Sequence, residues 1–307
     1  MRTGKLLLLV WLGACNSPSP APTASSALPT PLERPRVLRT DELPERERAI
    51  LSAWRAGGAQ WAELEPSVLA NPDERSFLVD NLVRDLVRHF EQSKLAGIGE
   101  ADGPFERSRA QLVRMPADST PLLVELTAKG DGVVAYLSAD LLIAIGPGAR
   151  APVAARCSDP SASVRRRMVE LWGKLPAGET PIPTAEWERL GALARHDPDW
   201  LVRGEAQSSL ASIGAQQQNK GFVAGILRQG LADPDLAVAQ KAAEGFGVLG
   251  EPRAIPWLID GLTPLERKGA AAAVKAGRKS LEVLSGEQRD RTLPEWQEWW
   301  DRIGSRR

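Results

Sequence analysis

The sequence predicts an all-α chain: an α-solenoid of helix pairs with capping helices. Three observations carry that expectation. A turn recurs at Asp159-Pro160, Asp197-Pro198 and Asp233-Pro234, 38 and 36 residues apart. Behind each turn the apolar residues advance by four, four and three positions, the period of one helix face. No stretch alternates apolar and polar residues with β-branched enrichment beyond a few positions, so strands are not expected. Of the 307 residues 43% are hydrophobic and 25% charged, which suits a folded body. The 39 basic and 39 acidic groups cancel, which argues against a dedicated nucleic-acid binder. Two Cys and two His leave little material for a disulfide scaffold or a metal site.

In chain order, residues 1–14 come first. Arg2 and Lys5 precede an unbroken apolar run, Leu6–Leu12. About seven residues fall well short of the ~20 needed to span a bilayer, so this is the pattern of a secretory signal peptide. Leu12-Gly13-Ala14-Cys15 resembles the lipobox of bacterial lipoproteins. The resemblance implies cleavage before Cys15, lipidation of its thiol, and an exported protein anchored in the bacterial cell envelope, on the periplasmic face or the outer membrane. Loss of Arg2 and Lys5 leaves 37 basic against 39 acidic groups. Residues 15–40 hold the lipidated Cys and a Pro/Ser/Ala-rich linker that lacks the apolar surface to offset its ordering entropy. Proline biases it toward an extended tether of about 3.1 Å per residue. A Pro-rich ligand for another module is the alternative use.

Residues 41–119 form an N-terminal helical region, a cap or diverged repeats. Asp41–Leu64 and Asp73–Gln92 are the expected helices, the second with Phe77, Leu78, Leu82, Leu86, Val87 and Phe90 on one face. Residues 120–283 hold the repeats. After each Asp of the three Asp-Pro turns stand Val164, Val202 and Val238, then Met168, Ala206 and Ala242, then Trp172, Leu210 and Phe246, then Leu175, Ile213 and Leu249. Gly214 and Gly250 follow two of these stripes, where a left-handed glycine would end a helix. The Asp is expected to cap the next helix, and Pro to stop the previous one. The expected first helices are Ala149–Cys157, Thr184–Arg195 and Phe222–Leu231; the second helices are Ser163–Lys174, Leu201–Ile213 and Ala237–Leu249. Two weaker copies flank them. One pairs Pro121–Lys129 with Val133–Ile145 around Gly130-Asp131-Gly132. The other pairs Pro252–Leu262 with Glu266–Leu281 around Thr263-Pro264. In residues 284–307, Trp296, Trp299 and Trp300 lie at helical spacing; a helix laying that face over the last repeat is expected. An aromatic binding patch or a membrane-interface contact is the alternative.

The units DPDWLVRGEAQSSLASIG and DPDLAVAQKAAEGFGVLGEPRAIPWLIDGL resemble HEAT-type repeats, in particular the subclass also found in phycobilisome lyases. The resemblance implies a curved stack of antiparallel helix pairs whose second helices line the concave side. It also implies an Arg just after the Val. Arg165 and Arg203 fit, but the third copy has Ala239, so an Asp–Arg ladder is expected to fail toward the C-terminal side.

Motifs that mimic chemistry have structural readings. Gly245-Phe246-Gly247-Val248-Leu249-Gly250 matches G-x-G-x-x-G, but it lies inside a helix rather than between strand and helix, so close helix packing is the expectation. His89 and His196 lack a third imidazole. Asp197/Asp199 and Asp233/Asp235 lack the glycine turn and distal Glu of a calcium loop. Cys157 reads as a small buried apolar residue. No cofactor, metal or small-molecule substrate is expected. The candidate site is a protein-binding surface on the second helices: Arg166, Arg167, Glu170, Glu205, Ser208, Gln240, Lys241 and Glu244. There, charges alternate in sign and could pair between neighbouring units that stack in register; a merely solvated face is the alternative reading. The function expected is a membrane-anchored scaffold for an unknown protein partner, without nucleic acid and without enzymatic activity. A chromophore-lyase-like enzyme, implied by the subclass alone, and a structural envelope spacer are the alternatives.

Overall fold

The computed structural model describes residues 42–95, 103–178, 181–217 and 219–303. The expected signal peptide, Cys15 and the expected Pro-rich linker lie outside the described residues. Within them every regular element is an α-helix or a short 3-10 turn, and helices adjacent in sequence pack as pairs. The fold is an all-α solenoid.

The N-terminal region holds α1 (Glu45–Ala56), α2 (Gly58–Ala70), α3 (Pro72–Leu95) and α4 (Gly103–Arg114). The single helix expected over 41–64 is broken. Gly57 and Gly58 take φ of +67° and +59°, a left-handed conformation that glycine adopts without a Cβ clash. The chain thus turns between α1 and α2, and Trp54 and Trp61 meet edge to face at 5.1 Å across the turn. Helix α3 buries Leu78, Leu82 and Leu86, while Phe77, Val87 and Phe90 flank them. Helix α4 escaped the sequence reading because its stretch is mostly polar or charged and lacks a full apolar stripe, with Leu112 as its one fully buried aliphatic. Helix α3 packs on α5 and α4 on α6, both introduced next, so this region enters the same two-layer stack.

Five pairs follow: α5 (Pro116–Lys129) with α6 (Gly132–Ile145), α7 (Arg150–Arg156) with α8 (Ala162–Lys174), α9 (Thr184–His196) with α10 (Trp200–Gln216), α11 (Lys220–Gly230) with α12 (Leu236–Leu249), and α13 (Ile255–Arg267) with α14 (Ala271–Ser285). The stripes Val202-Ala206-Leu210-Ile213 and Val238-Ala242-Phe246-Leu249 are wholly buried between the layers. The run Gly132–Arg156 is apolar and long enough to cross a membrane by length and composition alone. Gly146, at φ +80°, divides it into α6 and α7, and α6 packs along α5 as a layer of the stack. Its 14 residues span about 21 Å, short of a ~30 Å hydrocarbon core.

Three local expectations need correction. The Asp of each Asp-Pro pair is not the cap. Asp199 Oδ1 accepts from the Leu201 and Val202 amides, and Asp235 Oδ1 from Ala237. The preceding Asp197 and Asp233 accept from the amides of Asp199 and Asp235, bending the chain into the turn. Second, Gly214 does not end α10, which runs on to Gln216. A Cβ there would lie 2.9 Å from both Leu249 and Val223, so its role is close approach. Gly250, at φ +62°, does end α12. Third, Thr263-Pro264 is not a turn. Both lie inside α13, and the chain reverses at Gly269, φ +72°.

The freed carboxylates hold the units together. Arg165 donates to both oxygens of Asp197 at 2.7 Å, and Arg203 to both of Asp233 at 2.8 and 2.9 Å. Each arginine also donates to a carbonyl of its own turn, Asp159 O and Asp197 O. The carboxylate partners raise the pKa of both guanidiniums, so they stay charged. The ladder stops at Ala239, as the sequence led one to expect. It also has no rung upstream, because Ala135 of α6 holds the position equivalent to Arg165; Asp159 pairs instead with Arg156 of its own unit.

Small residues set the layer spacing. A Cβ on Gly173 of α8 would stand 2.5 Å from Ser209 Oγ of α10, and one on Gly247 of α12 2.8 Å from Ser280 Oγ of α14. Both hydroxyls donate across to the preceding helix, Ser209 to Val169 O at 2.9 Å and Ser280 to Ala243 O at 2.7 Å. A Cβ on Gly245 would meet Leu227 and Ala211. Each glycine of the G-x-G-x-x-G run thus serves packing or the helix end. The second helices α8, α10, α12 and α14 lie against one another along their length, whereas the first helices touch sparsely, so the stack curves toward the second-helix side. Helix α6 barely touches α8.

At the C-terminus α15 (Leu293–Arg302) starts with a reciprocal Thr292/Glu295 cap and packs on α13. Trp296 and Trp299 are buried, with the Arg291 guanidinium 4.8 and 5.9 Å from their ring centres. Trp300 is half-buried against the same core.

Candidate protein-binding surface

The candidate residues lie where the stripes turn outward on α8, α10 and α12. Tight stacking brings these helices into one surface, with Arg166, Arg167 and Glu170 on α8, Glu205 and Ser208 on α10, and Gln240, Lys241 and Glu244 on α12. The expected pairing between units is not what holds the charges. Lys241 reaches Glu244 at 3.3 Å on its own helix, Gln240 donates to Glu244 at 2.8 Å, and Lys174 pairs with Glu170. A partner one turn away on the same helix is within easy reach. Ser208 donates weakly to Gly204 O at 3.4 Å. Arg167 turns its guanidinium toward α5, although it still borders the α6–α8 seam. Its Nη1 donates to Thr127 O and Ala128 O at 2.8 and 3.2 Å, closing the C-terminal end of α5.

Glu205 differs from the rest. It is half-buried at the centre of the surface and makes no hydrogen bond or ion pair with another described residue. Burial pushes its pKa up and the nearby Glu170 adds to this, while Lys241, Lys174 and Arg166 pull the other way.

Two grooves open on this side. One of about 460 Å3 lies at the loose α6–α8 seam, with exposed Tyr136 beside Ile143, Leu171 and Lys174. The other, about 640 Å3, lies between α12 and α14. Val248 and Val283 border it, 56% and 58% exposed. Sequence reasoning missed Lys275 and Val283 because the Thr263-Pro264 reading put the last unit out of register. Gly269 preceded by Arg267-Lys268 was the available signal.

The remaining candidates are structural. Cys157 is fully buried, and burial raises its thiol to about 12, which keeps it protonated. The buried Arg150 guanidinium lies 4.4 Å from the Trp172 ring centre and donates to Leu175 O and Pro176 O. His196 is exposed in the last turn of α9. Among the described residues no three His, Cys, Asp or Glu side chains gather to hold a metal ion.

Against this geometry, a family model described as HEAT repeats matches residues 187–276. The chain carries HEAT repeats. The match begins at Trp187 in α9 and ends within α14, which covers the ladder rung Arg203–Asp233 and the α12 flank of the α12–α14 groove but stops before Lys279 and Val283. No curated protein matches the chain. HEAT repeats suggest a protein-interaction scaffold, and the glycine-spaced, ladder-joined second helices supply the surface such a role requires.

Proposed function

We propose that this protein is a lipid-anchored HEAT-repeat scaffold of the bacterial cell envelope that presents its second-helix surface to a protein partner. The observation that carries the reading is the half-buried, unpartnered Glu205 at the centre of a continuous face, flanked by Arg166, Glu170 and Lys241. A partly desolvated carboxylate with no donor among the described residues is a group that a bound partner can satisfy. The lipobox at Leu12-Gly13-Ala14-Cys15 and the Pro-rich stretch after it support the anchor and tether. A photo-crosslinking residue at Arg166 or Gln240 in living cells should trap the same protein, and one at Glu188 on the first-helix side should not. No adduct, or equal capture from Glu188, would overturn the scaffold. Cys15→Ser should abolish fatty-acid labelling; persistent labelling would overturn the anchor.

A further inference from the structure

The groove between α12 and α14 has an apolar floor and one-sided charge. Gly247 and Ala276 form its base, and Val248 and Val283 stand at equivalent positions on its two flanks. It is an open groove of about 640 Å3. Neutral pairs account for most of its charges. Glu244 on the α12 side is engaged by Lys241 and Gln240, Lys279 on the α14 side by Glu282 at 2.9 Å, and Arg278 on the outer flank of α14 by Glu266 at 2.8 Å. Lys275 is exposed and makes no ion pair with another described residue. The uncompensated charge at the groove is therefore positive. Helix α14 as a whole carries Lys275, Arg278 and Lys279 against Glu282 alone.

We propose that this groove docks an acidic amphipathic helix of a partner protein. The proposal rests on the scaffold reading and adds the chemistry of the partner. Apolar side chains three and four residues apart on one helix face enter between Val248 and Val283, and a carboxylate beside them meets Lys275. Two parallel helix flanks with an apolar floor between them suit an amphipathic helix laid lengthwise, and the described residues contain no sheet edge for an extended peptide to join. Neither Val248 nor Val283 belongs to the core formed by the described residues. An apolar pair exposed over a small-residue floor suits a covering surface.

The test uses the full chain and two labelled synthetic helical peptides. Both carry leucines at helical spacing; one has glutamates between them and the other lysines. Fluorescence anisotropy should show saturable binding of the acidic peptide, weakened by salt, and at least tenfold weaker binding of the basic one. Val283→Asp should weaken the acidic peptide roughly tenfold, and Lys275→Glu about fivefold. Both substitutions are on exposed positions, and unchanged thermal melts would show that the fold persists. Equal binding of the two peptides, no saturable binding, or indifference to both substitutions would overturn the proposal. So would a concentration-dependent dimer abolished by Val283→Asp, which would make a second copy the occupant. Cellular crosslinks from Arg166 without peptide binding would remove this groove and leave the scaffold standing.

Discussion

Arg203 and Asp233 join two units through side chains only 13% and 7% exposed. Removing the arginine leaves a buried carboxylate without its counter-charge, and that loss outweighs whatever the pair contributes net. Arg203→Ala should lower the stability of the α9–α12 region by about 3 kcal/mol. Arg203→Lys should recover only part, because an ammonium cannot form the paired donation. Denaturant unfolding followed by hydrogen exchange in α11 and α12 would measure it, and a change below the noise would count against a structural ladder. Glu205 gives a prediction of opposite sign. Its pKa is raised in the fold above its ordinary 4.5, so folding favours the protonated form. The stability it confers is full below that ordinary value and is lost as pH rises through the raised one. Glu205→Gln should therefore be more stable than the native chain near neutral pH, with the gain vanishing in acid. A pH-independent difference in unfolding midpoint would contradict this.

At the scale of elements, two glycines in helices should respond in opposite directions to the same change. Alanine has an intrinsic advantage over glycine of about 1 kcal/mol inside a helix. At Gly225 of α11 a Cβ meets nothing within 4 Å, so Gly225→Ala should stabilise by about 0.5–1 kcal/mol. At Gly247 the Cβ would strike Ser280 and displace its bond to Ala243 O, so an overpacking cost of about 1–3 kcal/mol should exceed the propensity gain. Thermal melts of the two variants should move apart; parallel shifts would refute the packing argument. The same contrast explains what the sequence could convey. The stripes around Val202 and Val238 and the left-handed Gly250 are local patterns, readable one helix at a time. The identity of Gly214 as a spacer rather than a terminator depends on Leu249 and Val223, which belong to other helices. Thr263-Pro264 imitates a turn because Pro usually interrupts a helix, yet here it lies in the last turns of α13. On the candidate surface, sequence register placed Glu205 and Lys241 on one face. It could not show that Lys241 would turn to Glu244 or that Arg167 would cap α5.

For the whole molecule, a stack whose members touch only neighbours must end somewhere, and α15 covers one end with Trp296 and Trp299. Trp296→Ala should cost about 3–5 kcal/mol in the terminal units. Exchange protection should fall first in α13 and α14 and remain in α8 and α10. Uniform loss across the array would show that it unfolds as one block rather than from its end.

The ladder also has a direction. Each rung runs from an arginine in one unit to an aspartate in the next, 30 or 32 positions later. The α9–α10 unit is thus a connector with a plug and a socket: Arg203 reaches forward and Asp197 receives. The α11–α12 unit has only the socket, and Ala135 gives the α5–α6 unit no plug. A duplicated copy of the α9–α10 unit placed beside the original would find both of its mates, whereas a duplicate of the α11–α12 unit would leave a buried aspartate empty. Growth of the array by tandem duplication is therefore permitted at one joint and penalised at the next, so the number of units is open in the middle of the chain and closed toward its ends.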